Sequence, residues 1–432
     1  MAPLWLSRVT VGFVVALSLA NLYFYNYARI YAMFGQTPDI RFNLYGDPQI
    51  EGDAKLQREP RTGRLDILVN DYYLHHVYGS TIAAFKPNYV VTMGDIFSSQ
   101  WVRRDEYYKR IERFKWISQR IDSQNTTMRS NHVYLYMAGN HDIGYGDETR
   151  SYHINRFVNN FGPLNRKWTV DIDGRLHRMA ILNAMNLDKT RTRQYRVEAW
   201  DFVHGLAADS AKHPDIPLIL FLHIPLHKPD GICVANAKTV DRDGFVRYQD
   251  YLSPTTSAYL LHCLSPVLVF NGHDHNGCVA VHSTDVTASI PVVLGDSGKM
   301  LRSSSDMCDL TLEDLDMYRP ELDEFALQTI SSTAEGPAVD NSTALPTIEI
   351  TVRSSMGAYH GTTGVFDVSS IHQRQDTVTT SLRVLGRNVQ ASAGGYTYSY
   401  REIPFGHHLA VRALLVTNIV SCFAVPAILL LF

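Results

Sequence analysis

The stretch that decides the fold is Val267-Leu268-Val269-Phe270-Asn271-Gly272-His273-Asp274-His275. Its apolar, partly β-branched start reads as a short buried strand, and the chain then breaks at a glycine followed by two histidines one residue apart. The same order recurs upstream. Arg41 to Tyr45 runs into Gly46-Asp47-Pro48-Gln49, and Tyr89 to Met93 into Gly94-Asp95. Val133 to Met137 runs into Gly139-Asn140-His141-Asp142, and Leu218 to Leu222 ends at His223. Longer amphipathic segments over 66–85 and 102–121 read as helices between the strands. Strands alternating with helices predict an α/β protein with buried sheets. Nearly every polar cluster falls just past the carboxyl end of a strand, which is where such folds place their sites.

Each cluster offers a carboxylate, an amide or an imidazole beside a small residue. Hard oxygen and borderline nitrogen donors together suit two divalent ions, with manganese, iron and zinc all open. A neighbouring glycine lets the backbone turn sharply and come close to an ion. Two such ions about 3.5–4 Å apart clamp a phosphoryl group and supply hydroxide at neutral pH. A single Gly-Asp is ordinarily a turn and a single histidine ordinarily a packed residue. The information lies in five clusters in order, each at a strand end.

That ordered set resembles the signature of the calcineurin-like metallophosphoesterase family over residues 40–300. The resemblance implies a β-sandwich flanked by helices. By matching position it gives Asp47 and His275 to a first metal, Asp95 to the bridge, and Asn140, His223 and His273 to a second metal. It also makes His141 the group that contacts phosphate and the leaving oxygen, with Asp142 orienting it. One position departs: Gln49 stands where the family usually has histidine. A neutral amide is a weaker ligand, so the first site is expected to be more labile and to suit manganese better than zinc.

Within the family, Ser98 stands where purple acid phosphatases carry tyrosine. The forms Asp47-Pro48-Gln49, Gly94 to Trp101, His223 to Pro229 and Thr351 to Gly357 are similar to the Cdc1/Ted1/PGAP5 group, and most to its fungal Ted1 type. That resemblance implies an endoplasmic-reticulum membrane enzyme with a lumenal catalytic domain. It would hydrolyse ethanolamine phosphate from a mannose of glycosylphosphatidylinositol (GPI) anchors, using two divalent ions, manganese first among them. GPI-anchored proteins would be the substrate and cargo receptors possible partners. His227 and Lys228, just past His223, are candidates for contacting the outer phosphate or glycan, and Trp101 and Tyr145 for stacking on sugars. Two other functions stay open: a non-catalytic trafficking adaptor for anchored cargo, and a secreted phosphomonoesterase.

The flanks fit a membrane protein. Residues 9–28 carry no charge and are long enough to span as a helix, and Tyr23, Tyr25 and Tyr27 cluster at one end. A signal peptide cleaved after Ala20 is the rival reading. Residues 413–432 form a second uncharged run. Two spans would put the middle of the chain in the lumen, where sequons at Asn125 and Asn341 would also fit. Four cysteines outside the tail, Cys233, Cys263, Cys278 and Cys308, admit two disulfides or none. The formal net charge of -3 excludes a generally basic nucleic-acid surface. Residues 303–343 are rich in Asp, Glu, Ser and Thr and read as a solvated linker or insertion, and 348–400 as a strand-rich return to the same domain.

Overall fold

A computed structural model describes residues 4–33, 37–119, 132–234, 236–284, 292–293, 300–301, 303–316, 320–334, 346–371, 381–405 and 408–430. Both sequons lie outside them. Two seven-stranded sheets stack face to face. In the first, Ile40–Tyr45 pairs in parallel with Tyr89–Thr92, which pairs in parallel with Val133–Tyr136. On its other side lie the antiparallel strands Thr362–Ser370, Tyr396–Pro404, Asn388–Ala393 and Ser381–Leu385. In the second, Leu218–Leu222 and Leu268–Asn271 run parallel at the centre, and Thr347–Thr351 runs parallel to the latter.

The apolar runs are continuous because both faces of these strands are covered. Side chains alternate between two cores. Leu44, Val91 and Leu135 point between the sheets, where they meet Ile219, Phe221 and Phe270. Tyr45, Val90 and Tyr136 point outward under the helices. Five strands that end in ligand-bearing loops therefore deliver those loops to one edge of the sandwich.

The reading of residues 303–343 changes. Residues 303–343 are not a solvated linker where they are described. Leu312–Asp316 and Pro320–Thr329 are helices, Phe325 and Ala326 are fully buried, and Cys308 pairs with Cys263. Two acidic side chains of this stretch are held in place: Asp323 accepts from the Thr255 amide and hydroxyl, and Asp314 caps its own helix through Thr311. The second disulfide joins Cys233 to Cys278. The strand-rich return begins at Thr347–Thr351, all of which is buried inside the sheet.

The N-terminal helix, Leu4–Ala32, is long and apolar enough over Arg8–Ala32 to cross a membrane. Its last turns do not lie free: Ala28 is fully buried and Tyr27 and Tyr31 pack on the domain. At the other end the helix is His408–Leu430, with Pro426 inside it. Its described apolar part, Arg412–Pro426, is too short by itself for a span, so one helix rather than two meets that criterion among the described residues. Reciprocal amide hydrogen bonds of 2.8 Å between Asn21 and Asn418 tie the two helices together.

Candidate metal centre

The strand ends bring Asp47, Gln49, Asp95, Asn140, His223, His273 and His275 together. Ligating atoms of Asp95, His223 and His273 lie within 4.8 Å of one another. His223 Nε2 sits 3.4 Å from Asp95 Oδ1 and 3.3 Å from Asn140 Oδ1. His275 Nε2 lies 3.4 Å from Asp47 Oδ2. Asp47, Asp95 and His223 are essentially inaccessible to solvent. Buried carboxylates facing imidazoles across such gaps form a donor set for cations.

The backbone is bent to achieve this. Asp47, Gln49, Asp95 and His273 all have positive φ, between 28° and 72°. Left-handed conformations in such residues cost about 1–3 kcal/mol each and persist where surrounding structure imposes them. The glycines leave the room. A Cβ on Gly139 would stand 2.2 Å from Asp95 Oδ1, and one on Gly94, itself at φ +100°, 2.3 Å from His223 Nδ1.

The imidazoles are set up as ligands. His223 Nδ1 donates to the Met93 carbonyl at 2.7 Å, which leaves Nε2 as the donor to an ion. His273 Nε2 donates to the Gln249 carbonyl at 2.9 Å, which leaves Nδ1 free. Burial, reinforced by His223, holds the His273 pKa down at about 4, so the ring stays neutral. Burial pushes the Asp47 carboxyl up, but His223, His275 and His273 outweigh it and hold the pKa below its ordinary value. The residues present thus fit a divalent pair by charge, by donor type and by tautomer.

Gln49 lies inside the cluster. Its Nε2 is 3.2 Å from Asp95 Oδ2 and 3.1 Å from His275 Nε2. An imidazole there would give the first ion a stronger donor. Gln49→His is expected to tighten first-site binding by about tenfold, within the range that ligand-environment changes produce. Metal titration of the purified protein is the check, and unchanged affinity would show that Gln49 stands outside the coordination.

His141 is the most open member, with its side chain 37% exposed and its Nε2 3.8 Å from Asp95 Oδ2. Asp142 does not orient it. The Asp142 carboxylate is buried and turned the other way, accepting the backbone N–H groups of Ile96, Phe97 and Gly139 at 2.9–3.3 Å. Burial and the nearby Asp95 raise its pKa to about 7. Asp142 therefore staples the Asp95 loop to the Asn140 loop. What fixes His141 is its own backbone N–H, which donates to Asp95 Oδ1 at 2.8 Å.

A cleft of about 430 Å³ opens over the cluster, walled by Tyr145, Tyr248, Asp250 and Tyr359. A larger hollow of about 1140 Å³ lies beside the Cys263–Cys308 disulfide, and no candidate ligand borders it. Tyr145 is in the cleft wall, as expected. Trp101 is elsewhere, 60% exposed and edge-on to His153. The two candidate substrate contacts also fall outside. Lys228 is 1% exposed and its ammonium is paired with Glu349. His227 borders a separate hollow with Asn236 and Lys238. A basic dipeptide after a ligand looks available in sequence, but the loop turns both side chains inward.

Glu349 is the residue the sequence hid. Its Oε1 accepts the Leu226 amide at 2.7 Å and Asn271 Nδ2 at 2.6 Å, and its Oε2 accepts Lys228 Nζ and His282 Nε2. It joins the loop after His223 to the strand before His273. The only signal was an acid in an apolar strand, Ile348-Glu349-Ile350. Ser354 plays a similar part, its hydroxyl donating to the Asp47 carbonyl at 2.9 Å.

Comparisons with known proteins agree with this geometry. Residues 28–277 match the model of the calcineurin-like phosphoesterase family. Protein TED1 of Saccharomyces cerevisiae is 26% identical over 60% of this chain and 69% of its own length. An uncharacterised protein of Schizosaccharomyces pombe is 28% identical over 58% and 66%. Metallophosphoesterase 1 of Mus musculus is 26% identical over 53% and 60%. The chain thus spans about two thirds or less of the length of these relatives. All the candidate ligands, from Asp47 to His275, fall inside the matched region, and the chain belongs to the calcineurin-like phosphoesterase family as a metal-dependent phosphoester hydrolase.

Proposed function

We propose that this hydrolase is a phosphodiesterase that removes ethanolamine phosphate from a mannose of GPI anchors at the lumenal face of the endoplasmic-reticulum membrane, with manganese in its cleft. The observation that carries the reading is the joining of a metal cleft to an apolar helix. Tyr359 lies against His275, with ring centroids 4.7 Å apart. The next residues, His360 and Gly361, accept the Phe405 amide, and Phe405 packs on Tyr27 of the N-terminal helix. A substrate held at a bilayer is within reach of such a site. Two disulfides support an oxidising compartment. Three tyrosines around the cleft suit the apolar faces of sugars.

The bound ions would supply Lewis acidity and a nucleophile at neutral pH. The chain supplies the rest. Asp47, Asp95, Asn140, His223, His273 and His275 would hold the ions, with Gln49 completing the first site. His141, at the mouth, is placed to pass a proton to the leaving oxygen. Anchored proteins are the substrate in this reading, and receptors that export them are natural partners. The test is structural analysis of anchor glycans from cells lacking the protein. The expected result is ethanolamine phosphate kept on one mannose, restored by the wild-type chain and not by His141→Ala. An unchanged glycan profile would overturn the substrate and leave the hydrolase.

A further inference from the structure

The helix Gly63–Phe85 carries an apolar face that the phosphoesterase chemistry does not use. Leu65, Leu68 and Tyr72 are 61%, 53% and 60% exposed. At 100° per residue these three and His76 share an arc of about 80°. Trp116, 42% exposed, extends the face sideways, edge-on to Tyr72 at 5.0 Å and stacked on His75 at 4.1 Å. Arg61 and Arg64 are exposed beside it.

The two terminal helices fix where this face lies. Asn21 and Asn418 set their register. Four residues below Asn21, about 6 Å at 1.5 Å per residue, Tyr25 packs on His76 with ring centroids 4.9 Å apart. Six residues below Asn418, about 9 Å, Arg412 pairs with Asp66. Asp66 and His76 are about 15 Å apart along their own helix. They nevertheless meet the two terminal helices at nearly the same level. On that register Gly63–Phe85 would lie across the terminal helices, as a shelf. The level is where their apolar runs end, at Arg29 and Arg412. The face with Leu65, Leu68 and Tyr72 is the one that also carries the His76 contact to the N-terminal helix.

We infer that this shelf rests on the bilayer surface. Leu65, Leu68, Tyr72 and Trp116 would enter the boundary between headgroups and acyl chains, and Arg61 and Arg64 would reach the phosphates. Continuity with the N-terminal helix is what selects lipid rather than protein as the occupant. The inference rests on the reading of that helix as a membrane span, and the experiment separates the two.

The full chain, with Cys422, the free exposed cysteine, changed to serine, is reconstituted in phosphatidylcholine–phosphatidylserine nanodiscs. Leu68→Cys, Val15→Cys and Leu176→Cys are each labelled with an environment-sensitive fluorophore. Nanodiscs then carry spin-labelled lipids with the label near the headgroup or deep in the chains. Leu176, 45% exposed, is the control. Its neighbour Arg175 bonds to Gly394, about 30 Å along the strand Tyr396–Pro404 from the membrane end. The expected result is quenching of the Leu68 site by roughly twofold with the shallow label, of the Val15 site with the deep label, and none at Leu176. A quenched Val15 site with an unquenched Leu68 site overturns the shelf alone. An unquenched Val15 site overturns the span and the shelf together. Quenching at Leu176 equal to that at Leu68 also overturns it, since contact would then not be confined to this face.

Discussion

Asp95→Asn is expected to abolish hydrolysis and metal retention together. Asp95 lies within contact range of His223 and His141 and is bonded by Gln49, so two ions held by this cluster would both draw on its charge. The electrostatic part of metal catalysis is worth several kcal/mol. At about 1.4 kcal/mol per tenfold, the fall in kcat/KM should be on the order of a thousandfold or more. The substitution is mild for the fold, because an asparagine oxygen can still accept the His141 amide that Asp95 Oδ1 takes at 2.8 Å. Elemental analysis and manganese-dependent hydrolysis of a generic phosphodiester, beside the Tm of the metal-free protein, are the measurements. Activity within tenfold of wild type would remove Asp95 from the bridge. Lost activity with full metal content would assign it a different role.

Glu349→Ala should be the most damaging substitution away from the ions. The carboxylate is 1% exposed and receives four donors. Removing it leaves the Lys228 ammonium buried without its partner, a class of change that costs about 3–5 kcal/mol. In many chains that is a large share of total stability. Pairing it with Lys228→Met should recover part of the loss. Full recovery is not expected, because the Leu226 amide, Asn271 and His282 still lack their acceptor. Equal stability of the two variants, by thermal unfolding of the detergent-solubilised protein, would mean that the ion pair contributes nothing.

The same group predicts a pH dependence. Burial pushes the Glu349 carboxyl up, but Lys228 and His282 outweigh it and hold the pKa at about 2 against an ordinary 4.5. The folded state therefore binds fewer protons than the unfolded state between those values. Its contribution is complete above pH 4.5 and is lost as pH falls toward 2. Wild type should lose stability through that window, and Glu349→Gln should show a flatter acid limb. Parallel acid limbs would contradict the assignment.

The sequence alone determined which polar clusters meet and the sheet that carries them. Parallel strands buried on both faces must read as short apolar runs. Their carboxyl-end loops must converge on one edge, so donors written just past each run meet in space wherever the intervening helices lie. That logic needs residue type and spacing only, which is why the five clusters could be found in the chain; the choice of Asp47, Asp95, Asn140, His223, His273 and His275 within them came from the family resemblance. Tertiary structure decided which way polar side chains point. Asp142 binds backbone amides rather than His141, Lys228 faces Glu349 rather than solvent, and the acidic stretch near Asp314 and Asp323 is docked rather than loose. In each case a charged residue is stable in either setting. For Asp142, Lys228 and Asp323 the choice is made by partners far away in sequence, Ile96 and Phe97, Glu349 and Thr255, which no local pattern encodes, whereas Asp314 is held locally by Thr311. The shelf formed by Leu65, Leu68 and Tyr72 belongs with these, because its meaning depends on where Asn21 and Asn418 hold two distant helices.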